Sequence, residues 1–388
     1  MRFRGCVVVV YLGAASLAAC AGGATATTGP APAGPVVNVS ALPGPAATPT
    51  PSATPTPTAA QSAPPSTPTP VQSGAPGATP TPAPTATATP TPAPTATPTH
   101  PVDSALCMGW TTQTVATGLG VLESVLIDPS GNGILLSNTS GNSVQRIASN
   151  GTVSTVASVS SPGELVALPG GGVLVSTGDS TIDAVLGTAN GTMVVLNPAT
   201  GAAPTYASGL TAPNGVAIDA AGNAYTTDTG TTPGTGITLV PASDPAHPVV
   251  NWAPVTDSNG IAIDNAKRLL YVDQTFSATN DIEVLSLDAP QTVNLLVSLT
   301  GIGSPVPKGL DDMILDPTGI LDVAANGSGE VFRVDPATGY ACLLAGGFSF
   351  TSAVALETGP PHGLLVVGFD GTVHSLIPPV PLPALRRR

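Results

Sequence analysis

Basic and aromatic side chains are scarce in this 388-residue chain. Ten Lys and Arg face 23 Asp and Glu, for a net charge of −13, and aromatics make up 3% of the residues. Arg2 and Arg4 lie at the start and Arg386, Arg387 and Arg388 at the end, which leaves Arg146, Lys267, Arg268, Lys308 and Arg333 for the region between. Nucleic-acid binding needs a basic stripe to displace counterions, and single strands need aromatic platforms on which bases stack. Nucleic acid is therefore excluded as a partner. An acidic body with little positive charge suits metal cations or neutral ligands instead. Charged residues of both signs reach only 9%, so Thr, Ser, Asn and Gly must cover much of the surface.

No apolar run is long enough for a stable membrane span. The longest, Cys6 through Leu17, follows Arg2 and Arg4 and has the layout of a signal peptide. It ends in Leu17-Ala18-Ala19-Cys20, which resembles the bacterial lipobox, where cleavage precedes a cysteine that becomes lipid-modified. We therefore expect a signal peptide over 1–19 and lipidation of Cys20, with membrane attachment through the lipid anchor alone. The protein would be exported and face the periplasm or the cell surface.

From Cys20 to residue 102 the composition is almost wholly Thr, Pro, Ala, Gly and Ser, as in "TPTPAPTATATPTPAPTATPT". With no apolar periodicity there is no core to offset chain entropy, so this stretch is expected to be a disordered linker. Closely spaced prolines favour extended polyproline II, and some eighty residues could reach on the order of 200 Å. Two further cysteines, Cys107 and Cys342, lie beyond it. Export permits a disulfide between them that would brace the folded region, two buried free thiols being the alternative.

The rest of the chain, 103–378, repeats one unit before a Pro/Arg tail over 379–388. The clearest copies are "APNGVAIDAAGNAYTTDTG" from Ala212, "DSNGIAIDNAKRLLYVDQ" from Asp257 and "LDDMILDPTGILDVAANG" from Leu310; fainter ones begin at Leu122, Gly163 and Thr351. Each copy reads as a short alternating strand, a turn rich in Asp, Pro, Gly or Asn, and a second strand. A third strand follows in every unit and a fourth in most. This is the pattern of propeller blades, and six units predict an all-β, six-bladed β-propeller. The sixth unit has only three strands, while Thr111–Ala116 is a lone strand before the first. The N-terminal strand is expected to complete blade six, closing the ring and hiding the sheet edges. A closed ring has no need to oligomerise, so a monomer is expected.

Superposing the units isolates one column at the start of the innermost strand: Glu123, Gly163, Asn214, Asn259, Asp311 and Ser352. In a propeller this strand lines the central channel, so the column converges on the axis. Two carboxylates and two amides there form an oxygen set suited to a hard divalent cation such as Ca2+. By contrast Asp128, Asp219, Asp264 and Asp316 recur identically at the following turn, which suggests local backbone capping. Asp228, Asp273 and Asn326, at the ends of second strands, are expected to be structural as well.

With these repeats and this column, Thr111 to Ile377 resembles the senescence marker protein/gluconolactonase/luciferin-regenerating-enzyme-like family of six-bladed propellers, most clearly at "LDDMILDPTGILDVAANGSGEVFRVDPATG". The resemblance implies Glu123, Asn259 and Asp311 as metal ligands, Asn214 as a substrate-binding residue, and Asp311 also as catalytic base or nucleophile. It implies a metal-dependent hydrolase of a lactone or ester. Two departures bear on the substrate. Ala212 stands where sugar-lactone hydrolases of the family carry Arg, and no His maps onto the axis, since His247, His362 and His374 fall in loops or the last strand. A small neutral lactone or ester is the substrate expected from this. The second reading is a non-catalytic propeller that binds a protein or cell-wall partner. The lipobox generates its own test. Mass spectrometry of the cell-derived protein should find an acylated Cys20 at the N-terminus, and Cys20→Ala should release the protein from the membrane fraction.

Overall fold

Short runs of Val, Ile, Leu and Thr between Gly- and Asp-rich turns fold as strands in the computed structural model, which describes residues 106–178, 187–229, 236–357, 363–380 and Leu382. The expected signal peptide over 1–19, Cys20, the linker over 20–102, His362 and most of the 379–388 tail lie outside the described residues. The described residues form 24 strands and no α-helix.

Strand β1 is Thr111–Ala116. Blade 1 follows with β2 (Leu122–Ile127), β3 (Ile134–Asn138), β4 (Ser143–Ile147) and β5 (Val153–Ser158). Blade 2 has β6 (Pro162–Ala167), β7 (Val173–Thr177), β8 (Gly191–Leu196) and β9 (Thr205–Leu210). Blade 3 has β10 (Pro213–Ile218), β11 (Ala224–Asp228), β12 (Ile237–Val240) and β13 (Val249–Ala253). Blade 4 has β14 (Ser258–Asp264), β15 (Leu269–Gln274), β16 (Asp281–Ser286) and β17 (Ala289–Ser298). Blade 5 has β18 (Leu310–Leu315), β19 (Leu321–Ala325), β20 (Glu330–Asp335) and β21 (Tyr340–Gly346). Blade 6 adds β22 (Thr351–Leu356), β23 (Leu364–Gly368) and β24 (Val373–Ile377) to β1.

Six four-stranded antiparallel sheets result, and the sixth has the order β1-β24-β23-β22. The N-terminal strand pairs with β24 from Thr111↔Ile377 to Ala116↔Val373, so the two ends of the domain close the ring. One apolar cluster fills each of the six spaces between adjacent blades. Between blades 6 and 1, for instance, Leu122, Val125 and Leu136 pack against Ala353, Leu365 and Val367. With few aromatics available, these interfaces are filled mainly by branched aliphatic side chains, whose alternation along each strand serves the neighbour on either side.

The recurring turn aspartates cap their own backbones. Asp128, Asp219, Asp264 and Asp316 each accept through Oδ1 from the N–H two residues on, at 2.8, 2.9, 3.0 and 2.7 Å. Asp316 has a second role, because its other oxygen accepts from Arg333. That guanidinium is buried, also donates to Asp322 at 2.8 Å and to the Leu106 carbonyl at 3.3 Å, and lies 5.1 Å from the centre of the Trp110 ring. The segment before β1 is thus held against blade 5, and the Cys107–Cys342 disulfide joins it covalently to β21. Closure has two parts, a strand added to blade 6 and a staple to blade 5.

Hydroxyls tie neighbouring blades together near the axis. Ser176 accepts from the Glu164 N–H of its own blade at 2.8 Å and donates to the Asn214 carbonyl of the next at 2.8 Å. Thr227 repeats this with the Gly215 N–H at 2.9 Å and the Asn259 carbonyl at 2.5 Å. Blade 4 carries Asp273 at the same register. Its Oδ1 accepts from the Gly260 N–H at 2.8 Å, while its Oδ2 is buried without a hydrogen-bond partner. Burial pushes this carboxyl up to about 8. The expectation that Asp228, Asp273 and Asn326 share the turn aspartates' role fails for the last two: Asp273 replaces an inter-blade hydroxyl, and Asn326 bonds an axial carboxylate described below.

Two outcomes follow from closure and from the buried acid. Replacing Cys107 and Cys342 together by Ser should cost about 2–4 kcal/mol, a fall in melting temperature on the order of 5–10 °C by calorimetry. A raised acid binds its proton in the folded state over a range where the unfolded chain has already lost it. Its effect is therefore a stability that falls as pH rises from about 4, the ordinary carboxylate value, to about 8. Melting temperature should be higher at pH 6 than at pH 9, and Asp273→Asn should reduce that difference.

Candidate metal centre on the propeller axis

Each innermost strand carries one residue more than the strand it pairs with. The register slips between Leu122 and Val125, Pro162 and Leu165, Pro213 and Val216, Ser258 and Ile261, Leu310 and Met313, and Thr351 and Ala353. A bulge bends the strand and re-aims side chains. Here it recurs six times at one level, and the residues it redirects are the column read from the sequence. Local sequence permits it: a Cβ on Gly163 would come within 2.6 Å of Ser176 Oγ, and one on Gly215 within 2.3 Å of the Asn259 carbonyl, so side chains are excluded at these two bulge positions.

Four members of the column form two hydrogen-bonded pairs, all of them buried. Asn214 Nδ2 donates to Glu123 Oε1 at 3.2 Å, joining blades 3 and 1 across the bare Gly163 of blade 2. Asn259 Nδ2 donates to Asp311 Oδ1 at 2.8 Å and to Thr275 Oγ1 at 2.8 Å. The second Asp311 oxygen accepts from Asn326 Nδ2 at 2.9 Å. Both oxygens of this carboxylate are therefore oriented by amides, one from its own blade and one from the blade before. Ser352 does not join the set; its hydroxyl donates to the Leu122 carbonyl at 2.6 Å.

Asn326 and Thr275 were not readable from the column because they come from second strands and the loops after them. Glu164 and Asp312 escaped for a different reason. They occupy the next position of the same bulge, where the other units carry Ser124, Gly215, Gly260 and Ala353. Burial, and then the neighbouring Asp312 charge, push Glu164 well above the usual carboxylate range, although Ser124 Oγ donates to it at 2.9 Å. Burial raises Asp312 to about 7 despite the Val354 N–H that it accepts at 3.2 Å.

The axial set passes a chemical test for a hard cation. Asn259 is fully buried, its amide nitrogen is committed to two acceptors, and its Oδ1 has no hydrogen-bond partner. A buried amide oxygen without a donor carries a desolvation cost that a cation would remove. Glu123 and Asp311 supply the negative charge. Among the described residues no three His, Cys, Asp or Glu side chains converge as a metal-holding group. A cation here would therefore depend on amide oxygen as well as on the two carboxylates.

Comparison with known proteins places this geometry in a lineage. The segment 121–360 matches the SMP-30/Gluconolactonase/LRE-like region. No curated protein sequence matches the chain. A gluconolactonase from Xanthomonas campestris superposes with a TM-score of 0.57 at 17% identity, covering 74% of this chain and 94% of that one. Regucalcin from Agrobacterium tumefaciens, a calcium-binding protein, gives 0.51 at 18% identity, over 70% of this chain and 96% of that one. A luciferin-regenerating enzyme gives 0.54 at 14% identity, over 71% and 98%. At these identities the likeness to the solved structures is one of fold. The family match spans more than half of the sequence and contains all four axial residues, so this chain belongs to the SMP-30/gluconolactonase/LRE-like family of propellers.

Proposed function

We propose that this protein is a divalent-cation-dependent hydrolase of small neutral lactones or esters, working at the axial pairs. The observation that carries the reading is Asn259 Oδ1, an unsatisfied buried oxygen on the amide that holds Asp311. Family membership supports lactonase-type hydrolysis, and the calcium-binding of a regucalcin of like fold supports Ca2+ or another divalent ion.

Glu123, Asn259 and Asp311 would hold the cation, which when bound polarises the substrate carbonyl and offsets the charge of the oxyanion. Asp311 acts as general base. Held in one orientation by Asn259 and Asn326, it takes a proton from water as the water oxygen adds to the carbonyl carbon. It returns that proton to the alkoxide oxygen as the ester or lactone C–O bond breaks. Asn214, already directed into the site by its bond to Glu123, orients the substrate. Ala212 presents no guanidinium at the approach to Asn214, which favours an uncharged substrate over an acidic one. We further propose that the enzyme works as an exported monomer on a lipid anchor at Cys20, in keeping with the lipobox and the Thr/Pro-rich segment after it.

The experiment pairs stability with turnover. Calcium restored after EDTA should raise the melting temperature by several degrees, since a ligand at a hundred times its Kd adds about 2.7 kcal/mol. Asp311→Asn should lose this shift and at least ~100-fold of its hydrolysis of a lactone and ester panel, with circular dichroism unchanged. A wild-type protein that ignores EDTA and calcium and hydrolyses nothing would overturn the reading and leave a ligand-binding propeller.

A further inference from the structure

Beyond the bulges, the inner strands line a cavity of about 910 Å³. Its walls are the inner strands of all six blades, including Leu126, Val166, Ala217, Ala262, Ile314 and Ala355. Its mouth is formed by turns between first and second strands, where Pro129, Gly170 and Asp219 lie. It therefore opens on the face away from the ends of the strands that bear Glu123 and Asp311. The middle of the walls is mainly aliphatic; Asp128 and Asp219 lie toward the mouth, and Glu164 of blade 2 and Asp312 of blade 5 lie at the inner end, on opposite sides of a six-bladed ring.

These acids have no basic partner. The five described Lys and Arg residues are all engaged elsewhere: Arg146 with Asp128, Lys267 with Asp264, Arg268 with Asp288, Lys308 with Glu330, and Arg333 with Asp316 and Asp322. The donors that reach them are neutral: the Ser124 hydroxyl and Leu165 N–H for Glu164, and the Val354 and Met313 N–H groups for Asp312. A third acidic oxygen stands at the same level. Asp273 Oδ2 is buried and unpartnered, and it faces the gap at Gly260, where a Cβ would lie 2.4 Å from it and 2.7 Å from the Asp312 Cα. Asp273 and Asp312 are buried and Glu164 is half-buried, and carboxylates so shielded from water call for positive charge or protons.

We infer that this lower channel is a second binding site, separate from the axial pairs, for an organic cation: an ammonium head between Glu164 and Asp312 and an apolar tail along the aliphatic walls. The shape argues for an organic cation over a metal ion. A hard cation wants six to eight oxygens, whereas the strands just below the two acids present mainly aliphatic side chains such as Leu126, Val166, Ala217 and Ile314. The volume falls within the range of small-molecule sites with few, convergent polar groups. Net negative charge would favour entry of such a ligand from solution.

Hexylammonium is the probe, with hexanol as its uncharged match, titrated calorimetrically into the full chain at pH 7.5. Saturable binding of hexylammonium is expected, with hexanol at least ~10-fold weaker, a difference of about 1.4 kcal/mol. Glu164→Gln should weaken hexylammonium at least ~10-fold and leave hexanol unchanged. Should that variant fold poorly, Ala167→Phe, on the exposed side of the same wall, should block the probe by filling the mouth while both acids remain. Equal affinity for hexanol, or hexylammonium binding indifferent to both variants, would overturn the inference. So would calcium that displaces hexylammonium from the wild type and loses affinity in Glu164→Gln, which would make the inner acids a metal site. The inference survives failure of the hydrolase reading, because Asp311→Asn should leave hexylammonium binding within about twofold.

Discussion

A single extra residue near the start of each innermost strand is the constraint on which the rest of the molecule depends. It keeps each sheet from pairing in strict register to its inner end and turns two consecutive side chains out of the pleat. The first residue of each bulge belongs to the axial column, and in blades 2 and 5 the second, Glu164 and Asp312, lies at the head of the lower channel. The bulges also free backbone groups, and the molecule uses them for assembly. N–H groups of the bulges at Glu164 and Gly215 bond hydroxyls of their own blades, and the same hydroxyls bond carbonyls of the next. Ring cohesion near the axis and orientation of the axial residues thus come from the same polar contacts, while the six aliphatic interfaces further out supply the apolar burial.

Scarcity of positive charge sets the electrostatics. With five described basic residues, each bound to outer or turn carboxylates, the axis must be neutralised by other means. Amide nitrogens serve Glu123 and Asp311, and protons serve the raised acids. Among the described residues no Lys or Arg forms an ion pair with an axial carboxylate. The buried Arg333 shows the opposite use. Its charge is spent on two aspartates, a carbonyl and an indole ring that together hold the N-terminal segment to blade 5.

Strand number, blade count, closure by Thr111–Ala116 and the axial column were legible in the chain, because repetition multiplies a weak local pattern by six. The turn aspartates were legible for the same reason, each recurring with its own Gly or Asn one to four residues on. Boundaries of outer strands were less so. The fourth strand of blade 2 runs from Thr205 to Leu210, where the buried residues Ala207 and Leu210 stand three apart and so leave no strict alternation from which to read its bounds. Asn326 and Asp273 looked like repeat chemistry, yet one orients Asp311 and the other replaces an inter-blade hydroxyl. Position within a unit could not separate these roles, which depend on what the neighbouring blade presents.

The amino-acid sequence by itself determined that this is an acidic, repeat-built all-β protein with an oxygen-rich column at one register, because those properties are periodic and compositional. Only the tertiary structure decided that Glu123 pairs with Asn214 and Asn259 with Asp311, and that Ser352 turns away from them. It alone brought Glu164 and Asp312 to one cavity from blades about 150 residues apart. The physical reason is ring closure, which makes neighbours of residues that no local spacing relates and aims their side chains by bulges that no single strand reveals.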